Sequence, residues 1–165
     1  MANSPPPDAP RTGVAALVAL IGTAAAAILV PTVAQWEGKS NDPYADLIGK
    51  ATVCYGETRV EMRHYTDAEC EEMLAEGLAD FAKPVLSCTP SLKDRPNALA
   101  ASISLAYNIG TAGYCRSTAA RRFRAGDIAG GCNAFLMWRY AGGREIRGLL
   151  TRRKAERAIC IRDAA

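Results

Sequence analysis

The sequence predicts an α+β protein that is mostly α-helical, with a small β-hairpin or sheet and an apolar helix at its N-terminus. Three patterns support this fold class: residues 13–34 carry no charge, residues 36–60 are rich in turn signals, and capped helical patterns follow residue 65. The length of 165 residues suits one folded domain. We expect that domain at residues 35–165.

The N-terminal part divides into two segments. Residues 1–12 are rich in proline and polar side chains, a composition typical of a disordered tail. Residues 13–34 are apolar, and their helix is expected to end at Val30 because Pro31 follows. From Val14 onward that helix would rise about 25 Å, somewhat less than the roughly 30 Å of bilayer hydrocarbon. The second segment is therefore predicted to be a weak transmembrane signal-anchor.

Alanine dominates this apolar segment, so the free energy that favours the bilayer is smaller than for a leucine-rich helix. Such an anchor can leave the membrane without being cleaved. A cleaved signal peptide is the alternative, since Thr32, Val33 and Ala34 form a small-residue cleavage pattern. Both interpretations predict that the rest of the chain is exported.

The folded part is expected to begin with a β-hairpin or meander, because turn signals recur through residues 36–60. Thr66 and Glu69 have the spacing of a capping box, in which each side chain binds a free N–H group of the first helical turn. The helix behind them is predicted to run to about Ala82.

A second helix is expected from Pro96 to Gly110, because proline is favoured in the first turn and glycine just after the last. Its apolar residues repeat every three or four positions, so it should be central and buried. Gly142 and Gly143 are expected to stop a later helix. Three shorter helices are predicted at about 117–124, 127–140 and 151–161.

The six cysteines are widely spaced, form no C-x-x-C pair and accompany a single histidine. Zinc sites need clustered ligands, so no metal is expected, and nothing indicates another cofactor. Disulfide bonds formed in an oxidising compartment are the favoured interpretation, with buried free thiols as the alternative. The six are Cys54, Cys70, Cys88, Cys115, Cys132 and Cys160.

Charge is unevenly distributed along the chain. The net charge is only +3, yet residues 36–80 are acidic and the part from Arg116 onward is rich in arginine. A basic face of this kind suits an anionic polymer or a membrane surface. Nucleic acid is disfavoured, because the arginines are not interleaved with aromatic residues and no nucleic-acid-binding motif is present.

The candidate catalytic residues lie early in the folded part. Hydrolysis of a glycosidic bond needs one carboxylic acid to protonate the leaving oxygen and a second carboxylate to activate water or attack the sugar. Glu37 is the acid candidate and Asp46, nine residues later, is the base candidate. Thr52 follows after six more residues. The spacing alone is weak, since a solvated loop would also carry such residues.

The surrounding strings make the pattern specific. From Trp36 the chain reads W-E-G-K-S-N-D-P-Y-A-D-L-I-G-K-A-T-V-C-Y-G, and later Y-T-D-A-E-C, Y-N-I-G, C-R-S-T, W-R-Y-A-G-G and G-L-L-T-R-R. Together these strings resemble the phage-type lysozyme family of endolysins, and the resemblance covers residues 36–161. The apolar N-terminus is similar to that of its signal-arrest-release branch.

The resemblance implies a two-lobed lysozyme-like fold and a glycosidase that needs no cofactor. In the family pattern Glu37 would be the general acid, while Asp46 and Thr52 would hold the attacking water. The implied reaction is cleavage of the β-1,4 bond between N-acetylmuramic acid and N-acetylglucosamine in peptidoglycan, with inversion, which lyses the host cell. The implied partners are peptidoglycan and, through the N-terminal segment, the host inner membrane. A monomer is expected.

The branch also implies a location and a mode of activation. The enzyme would be tethered to the inner membrane facing the periplasm, inactive, and would become active on release into the periplasm. This chain departs from members that block the cleft with a catalytic cysteine, because Thr52 occupies that position and no cysteine precedes Cys54. On the implied fold we expect the pairs Cys54–Cys70, Cys88–Cys115 and Cys132–Cys160, one of about fifteen possible connectivities.

Two other functions remain open at this point. A secreted, disulfide-stapled module that binds the envelope would explain the cysteines and the basic half, but not the catalytic set. A transglycosylase on a similar fold would need the acid without Asp46 and Thr52. His64 is expected to be a surface or hydrogen-bonded residue, and Ser104 to lack a catalytic partner. The run 152–154 is expected to be a solvated helix face, unless one member orients Glu37.

Overall fold

A computed structural model describes residues 12–165, so the tail expected at residues 1–12 lies almost entirely outside the described part. Helices dominate this described part, and its four strands form two antiparallel hairpins, β1–β2 and β3–β4. The predicted mostly helical α+β class is confirmed. The helices are α1 (Thr12–Ala34), α2 (Asp67–Cys88), α3 (Pro96–Ile109), α4 (Thr111–Arg116), α5 (Thr118–Arg124), α6 (Ile128–Ala134) and α7 (Arg147–Cys160). The strands are β1 (Ser40–Ala45), β2 (Ala51–Cys54), β3 (Tyr140–Ala141) and β4 (Arg144–Glu145).

Helix α1 bends at Gly22, whose φ of 82° and ψ of 162° are not helical. It then continues through Pro31 to Ala34, so the expected end at Val30 is wrong. Pro31 removes the hydrogen bond to the carbonyl of Ala27, but Ala27 is solvent-exposed and water can take that place. A straight helix of these 23 residues would rise about 34 Å, enough to cross a bilayer.

In this structure α1 packs against α2 and α3. Its large buried side chains include Leu17, Ile21, Leu29 and Val33, all part of the main hydrophobic core. Among the described residues α1 is also the one helix that is long and apolar enough to span a membrane. The same segment therefore has the composition of a membrane helix and the contacts of a core helix. Its exposed residues are mostly small, namely Ala15, Ala16, Ala19, Thr23, Ala24 and Ala27.

Helix α2 begins as predicted. Thr66 caps it by accepting a hydrogen bond from the Glu69 N–H, and the Glu69 carboxylate accepts one from the Thr66 N–H. The helix passes Ala82 and Pro84 and ends at Cys88, which is longer than expected. Pro84 lacks the N–H for the carbonyl of Asp80, but Asp80 is exposed, so the helix continues for the same reason as α1.

Helix α3 has the expected bounds, with Pro96 in its first turn and Gly110 (φ 88°) after its last residue. Every residue from 98 to 106 is buried, so α3 is the central helix. The short helix α4 directly after Gly110 was not predicted.

The segment before the last helix also differs from expectation. The helix expected at 127–140 is α6 followed by a 3-10 turn at Phe135–Met137. Gly142 and Gly143 form the turn of the β3–β4 hairpin rather than a helix stop, and both have positive φ, 57° and 76°. Two consecutive residues of positive φ are what a tight type I′ hairpin requires. Helix α7 then begins at Arg147, four residues earlier than expected.

The six cysteines form three disulfide bonds, in the expected pairing: Cys54–Cys70, Cys88–Cys115 and Cys132–Cys160. They connect β2 to α2, the end of α2 to α4, and α6 to α7. Each closes a loop of 16 to 28 residues. Loops of this size correspond to roughly 3 kcal/mol of stabilisation per bond in the chain-entropy description.

Candidate active site

Glu37 lies in the turn that connects α1 to β1. Its N–H donates to the carbonyl of Val33 at 3.2 Å, which attaches the turn to the last turn of α1. The carboxylate is partly buried, with 29% of the side chain exposed. Because Glu37 comes three residues after Ala34, its position depends on where α1 lies.

Arg152 of α7 is the basic residue that pairs with Glu37. Its Nη1 donates to Glu37 Oε1 at 3.3 Å, and only 8% of the Arg152 side chain is exposed. Arg152 also donates from Nε to Glu156 Oε1 at 3.2 Å and from Nη2 to the Ser104 carbonyl at 3.4 Å. The guanidinium is thus held between the Glu37 carboxylate and groups on α3 and α7.

Behind Arg152 lies a buried polar network. Glu156 is fully buried and accepts hydrogen bonds from Ser104 Oγ at 2.7 Å and Arg153 Nη2 at 3.0 Å. Arg153, also fully buried, donates from Nη1 to Asn108 Oδ1 at 2.9 Å. Burial raises the pKa of Glu156, while Arg153, Ser104 and Arg152 act in the opposite direction. Both guanidiniums thus face Glu156, and Arg152 also reaches the carboxyl group of Glu37.

This network decides two expectations. In the run 152–154 only Lys154 is exposed, so the solvated face is wrong for Arg152 and Arg153, and the alternative that one member orients Glu37 is confirmed by Arg152. Ser104 was expected to lack a partner, but its hydroxyl bonds the Glu156 carboxylate. The spacing of Arg152 and Arg153 to Glu156, four and three residues along one helix, was the available sequence signal. This spacing could not show that the three side chains are buried, because the residues that cover them come from α3.

Asp46 and Thr52 lie on the β1–β2 hairpin. Thr52 is opposite Tyr44 in the register, and the Asp46 N–H donates to the Lys50 carbonyl at 2.9 Å just beyond the last pair. Side chains alternate along strands, so positions 44 and 46 share a face with positions 50 and 52. Asp46 and Thr52 are therefore diagonal neighbours on one face of the hairpin.

The Asp46 carboxylate is held by backbone groups of the hairpin turn. Its Oδ1 accepts from the N–H of Ile48 at 3.0 Å and of Lys50 at 2.8 Å. Thr52 is 3% exposed, and its hydroxyl donates to the Lys50 carbonyl at 2.9 Å. Within residues 12–165 no hydrogen bond or ion pair joins Glu37 to Asp46 or Thr52. Glu37 is oriented by α7, and the other two residues are oriented by their own hairpin.

Two grooves are lined from adjacent positions of α3, Tyr107 and Asn108. The first has a volume of about 530 Å³ and lies between the segment after β2 and α2, with Tyr107 at its end. The second, of about 490 Å³, is lined by Trp36, Asn108 and the start of α7, including Arg152. Burial raises the pKa of Tyr107, and the negative charge of Glu37 adds to this shift. None of Glu37, Asp46 and Thr52 lines either groove.

Neither His64 nor a set of potential metal ligands forms a second reactive centre within the described residues. His64 is exposed and bonds Asp42 at 2.8 Å, so it is a hydrogen-bonded surface residue as expected. Within the part of the chain that is described, no group of three or more His, Cys, Asp or Glu side chains is placed to hold a metal ion.

Comparison with known proteins gives a consistent result. The family model described as phage lysozyme matches residues 34–156. A protein named SAR-endolysin from Enterobacteria phage P21 is 40% identical over 130 residues, covering 76% of this chain and 77% of the relative. Another SAR-endolysin, from Pseudomonas phage phiKMV, is 32% identical over 152 residues, covering 88% and 93%.

Solved structures agree with the fold. An endolysin from Escherichia coli O157:H7 phage FAHEc1 matches with a TM-score of 0.69 and 26% identity, covering 81% of this chain and 90% of that one. The active form of the P1 phage endolysin Lyz has a TM-score of 0.70 at 19% identity, and the match covers 93% of this chain and 95% of that one. At this identity the likeness supports the fold and no more. The family match, the relatives and the fold together show that this chain belongs to the phage lysozyme family.

Proposed function

We propose that the protein is an endolysin that hydrolyses the β-1,4 bond between N-acetylmuramic acid and N-acetylglucosamine in peptidoglycan and so lyses the host cell. The observation that carries the proposal is the partly buried Glu37 carboxyl group, oriented by Arg152, whose own side chain lines one of the two grooves. A polymer needs room on both sides of the bond that is cut. We assign that room to the two grooves, which Tyr107 and Asn108 line from adjacent positions of α3.

In the proposed mechanism Glu37 donates its proton to the leaving glycosidic oxygen. Asp46, whose Oδ1 is held by two backbone N–H groups, uses its other oxygen to bind and activate a water molecule. Thr52, diagonal to it on the same face, helps to position that water. Attack from the face opposite the leaving group gives inversion at the anomeric carbon.

The N-terminal helix belongs to the proposal as well. We infer that residues 13–34 first anchor the chain in the host inner membrane and that the whole chain is later released into the periplasm, as a monomer. Support comes from α1, which is apolar enough to span a bilayer and also packs on α2 and α3. The two placements exclude each other, because α1 cannot lie in the bilayer and in the core at once. The division at residue 34 stays a prediction.

A cleaved signal peptide is less consistent with this packing. Cleavage after Ala34 would remove Leu17, Ile21, Leu29 and Val33 from the core and expose the faces of α2 and α3 that they cover. Burial of each such side chain contributes about 1.5–3 kcal/mol. Loss of all four would therefore unfold a protein of ordinary stability.

The test is digestion of purified peptidoglycan by the full-length soluble protein, with mass spectrometry of the products. Hydrolysis between the two sugars should yield N-acetylmuramic acid with a free reducing end. Products with an internal anhydro ring would instead identify a transglycosylase. Binding without any product would identify an envelope-binding module, and either of these results would reject the proposal.

A further inference from the structure

The groove on the α2 side of Glu37 has features that the proposed reaction does not explain. Aromatic rings of Tyr55, Phe81 and Tyr107 line it, together with Glu57. Sugar rings present apolar faces that pack on aromatic side chains and hydroxyl or amide groups that need polar partners. The lining combines both kinds of group.

Gly77 of α2 opens the wall of this groove. A Cβ atom added at Gly77 would meet no atom within 4 Å, so packing does not require a glycine. Its φ is also not positive, so the backbone does not require one either. Glycine weakens the middle of a helix relative to alanine. Its one visible structural effect is to leave free space beside the groove.

Glu57 is held in a fixed orientation at the same groove. Its Oε1 accepts hydrogen bonds from the N–H groups of Thr58 and Arg59, both at 2.8 Å. Within residues 12–165 its Oε2 accepts none, and 21% of the side chain is exposed. Burial opposes ionisation, but the N–H groups of Arg59 and Thr58 lower the pKa of Glu57 below its usual value. One carboxylate oxygen thus remains available to a ligand.

We propose that Glu57 is a substrate-binding residue whose Oε2 accepts a hydrogen bond from a hydroxyl or amide N–H of a sugar unit in the groove opened by Gly77. This inference rests on the proposed function, because the sugar would belong to the glycan strand cut beside Glu37. Tyr107 lines the same groove as Glu57, and the charges of Glu37 and Glu57 both contribute to the raised pKa of its hydroxyl. Glu57 does not take part in bond cleavage.

A purely structural role is the competing explanation, because Glu57 also ties down the turn at residues 57–59. The substitution Glu57→Gln separates the two. The amide oxygen of the glutamine can still accept hydrogen bonds from the N–H groups of Thr58 and Arg59. The atom that replaces Oε2 is an NH2 group, which donates hydrogen bonds and no longer accepts them. Glu61→Gln is the matched control, because Glu61 is exposed in the same segment and lines neither groove.

The experiment measures kcat, KM and Tm of the full-length protein on solubilised glycan strands. Glu57→Gln should raise KM about tenfold or more with kcat and Tm little changed, as expected when one charged hydrogen bond to the substrate is lost. Gly77→Leu, which fills the groove, should raise KM similarly while Tm does not fall. Glu61→Gln should match the wild type.

An unchanged KM in Glu57→Gln would overturn the inference. A raised KM accompanied by clear losses of both Tm and kcat would also overturn it, because that pattern indicates a structural role. Wild-type KM in Gly77→Leu would do the same. Failure of the proposed function looks different, since the wild type itself would then release no reducing ends. Affinity of Glu37→Gln protein for the same strands, with and without Glu57→Gln, measures binding without turnover, and equal affinities would contradict the role of Glu57.

Discussion

Helices α1 and α3 are both apolar and rich in alanine, yet they are buried in different ways. Every residue of α3 from 98 to 106 is buried, whereas α1 covers the body with one face and exposes the other. The exposed positions of α1 hold mostly alanine, whereas Leu17, Ile21 and Leu29 face inward and the other leucine and isoleucine, at 20 and 28, are partly buried. The hydrophobic cost of exposing α1 in water is therefore small, since it scales with apolar area.

The two helices also serve the candidate site in different ways. Ser104 of α3 holds Glu156, which in turn holds Arg152, so this side of the site is fixed by contacts between α3 and α7. Helix α1 ends three residues before Glu37 and carries it. Arg152 is thus held by α3 and α7, whereas the position of the proposed acid, Glu37, depends on α1.

The largest effect is expected at the residue that joins the two sides. Glu37→Gln keeps the shape of the side chain but has no proton to donate, so lysis should fall by a factor of about 100 to 10,000 or become undetectable. Asp46→Asn should reduce activity less completely. Turbidity assays on cell walls, with Tm as the folding control, check this. Substantial turnover by folded Glu37→Gln protein would remove Glu37 from the acid role.

In the polar network between α3 and α7, Glu156→Gln should strongly destabilise the folded protein. It leaves the buried guanidiniums of Arg152 and Arg153 with one carboxylate fewer, and breaking buried ion pairs in this way costs about 3–5 kcal/mol. Urea unfolding of the soluble protein measures the loss. A control is Glu61→Gln, because the exposed Glu61 forms no ion pair within residues 12–165 and the variant should stay within about 0.5 kcal/mol of wild type. Equal behaviour of the two variants would mean that the network is not important for stability.

On the α1 side, leucine substitutions at adjacent positions should separate membrane fit from core fit. Ala24 and Ala27 are exposed, whereas Ala25 and Ala26 are 0% and 4% exposed. The pair Ala24→Leu and Ala27→Leu should favour the bilayer by roughly 1 kcal/mol and delay release, with soluble stability nearly unchanged. The pair Ala25→Leu and Ala26→Leu should favour the bilayer equally but also overpack the core by about 1–3 kcal/mol.

Cell fractionation and urea unfolding measure the two effects of these leucine pairs. Both double variants have the same composition, so hydropathy cannot separate them. If both remain in the membrane to the same extent and unfold at the same urea concentration, the docked position of α1 is wrong.

A smaller effect is expected where α1 first meets α2. The Val14 N–H donates to Glu72 Oε2 at 3.0 Å, and a Cβ at Gly13 would lie 2.2 Å from the Glu72 carbonyl oxygen. Glu72→Gln should weaken docking by about 0.5–1.5 kcal/mol. Protease sensitivity of α1 in the soluble protein detects this, with the exposed neighbour Glu71→Gln as the control. Identical sensitivity in the two variants would exclude a role of Glu72 in docking.

Local signals predicted the parts of the fold that local chemistry decides. The Thr66 cap, the bounds of α3 and the hairpin that carries Asp46 follow from caps and turn residues. The continuation of α1 past Pro31 depends on whether Ala27 faces solvent, which only tertiary packing determines. For the same reason the sequence did not reveal that Ser104 and Arg152 share a buried carboxylate.

The central claim is that α1 stays in the active enzyme, docked beside the acid that it carries. N-terminal sequencing of the soluble, lytically active protein tests this most directly, together with its size in the membrane and soluble fractions. We expect one size in both fractions and a soluble N-terminus upstream of Thr12, so that α1 is retained. Active protein that begins at Gln35 would contradict the claim, because the core would then form without α1.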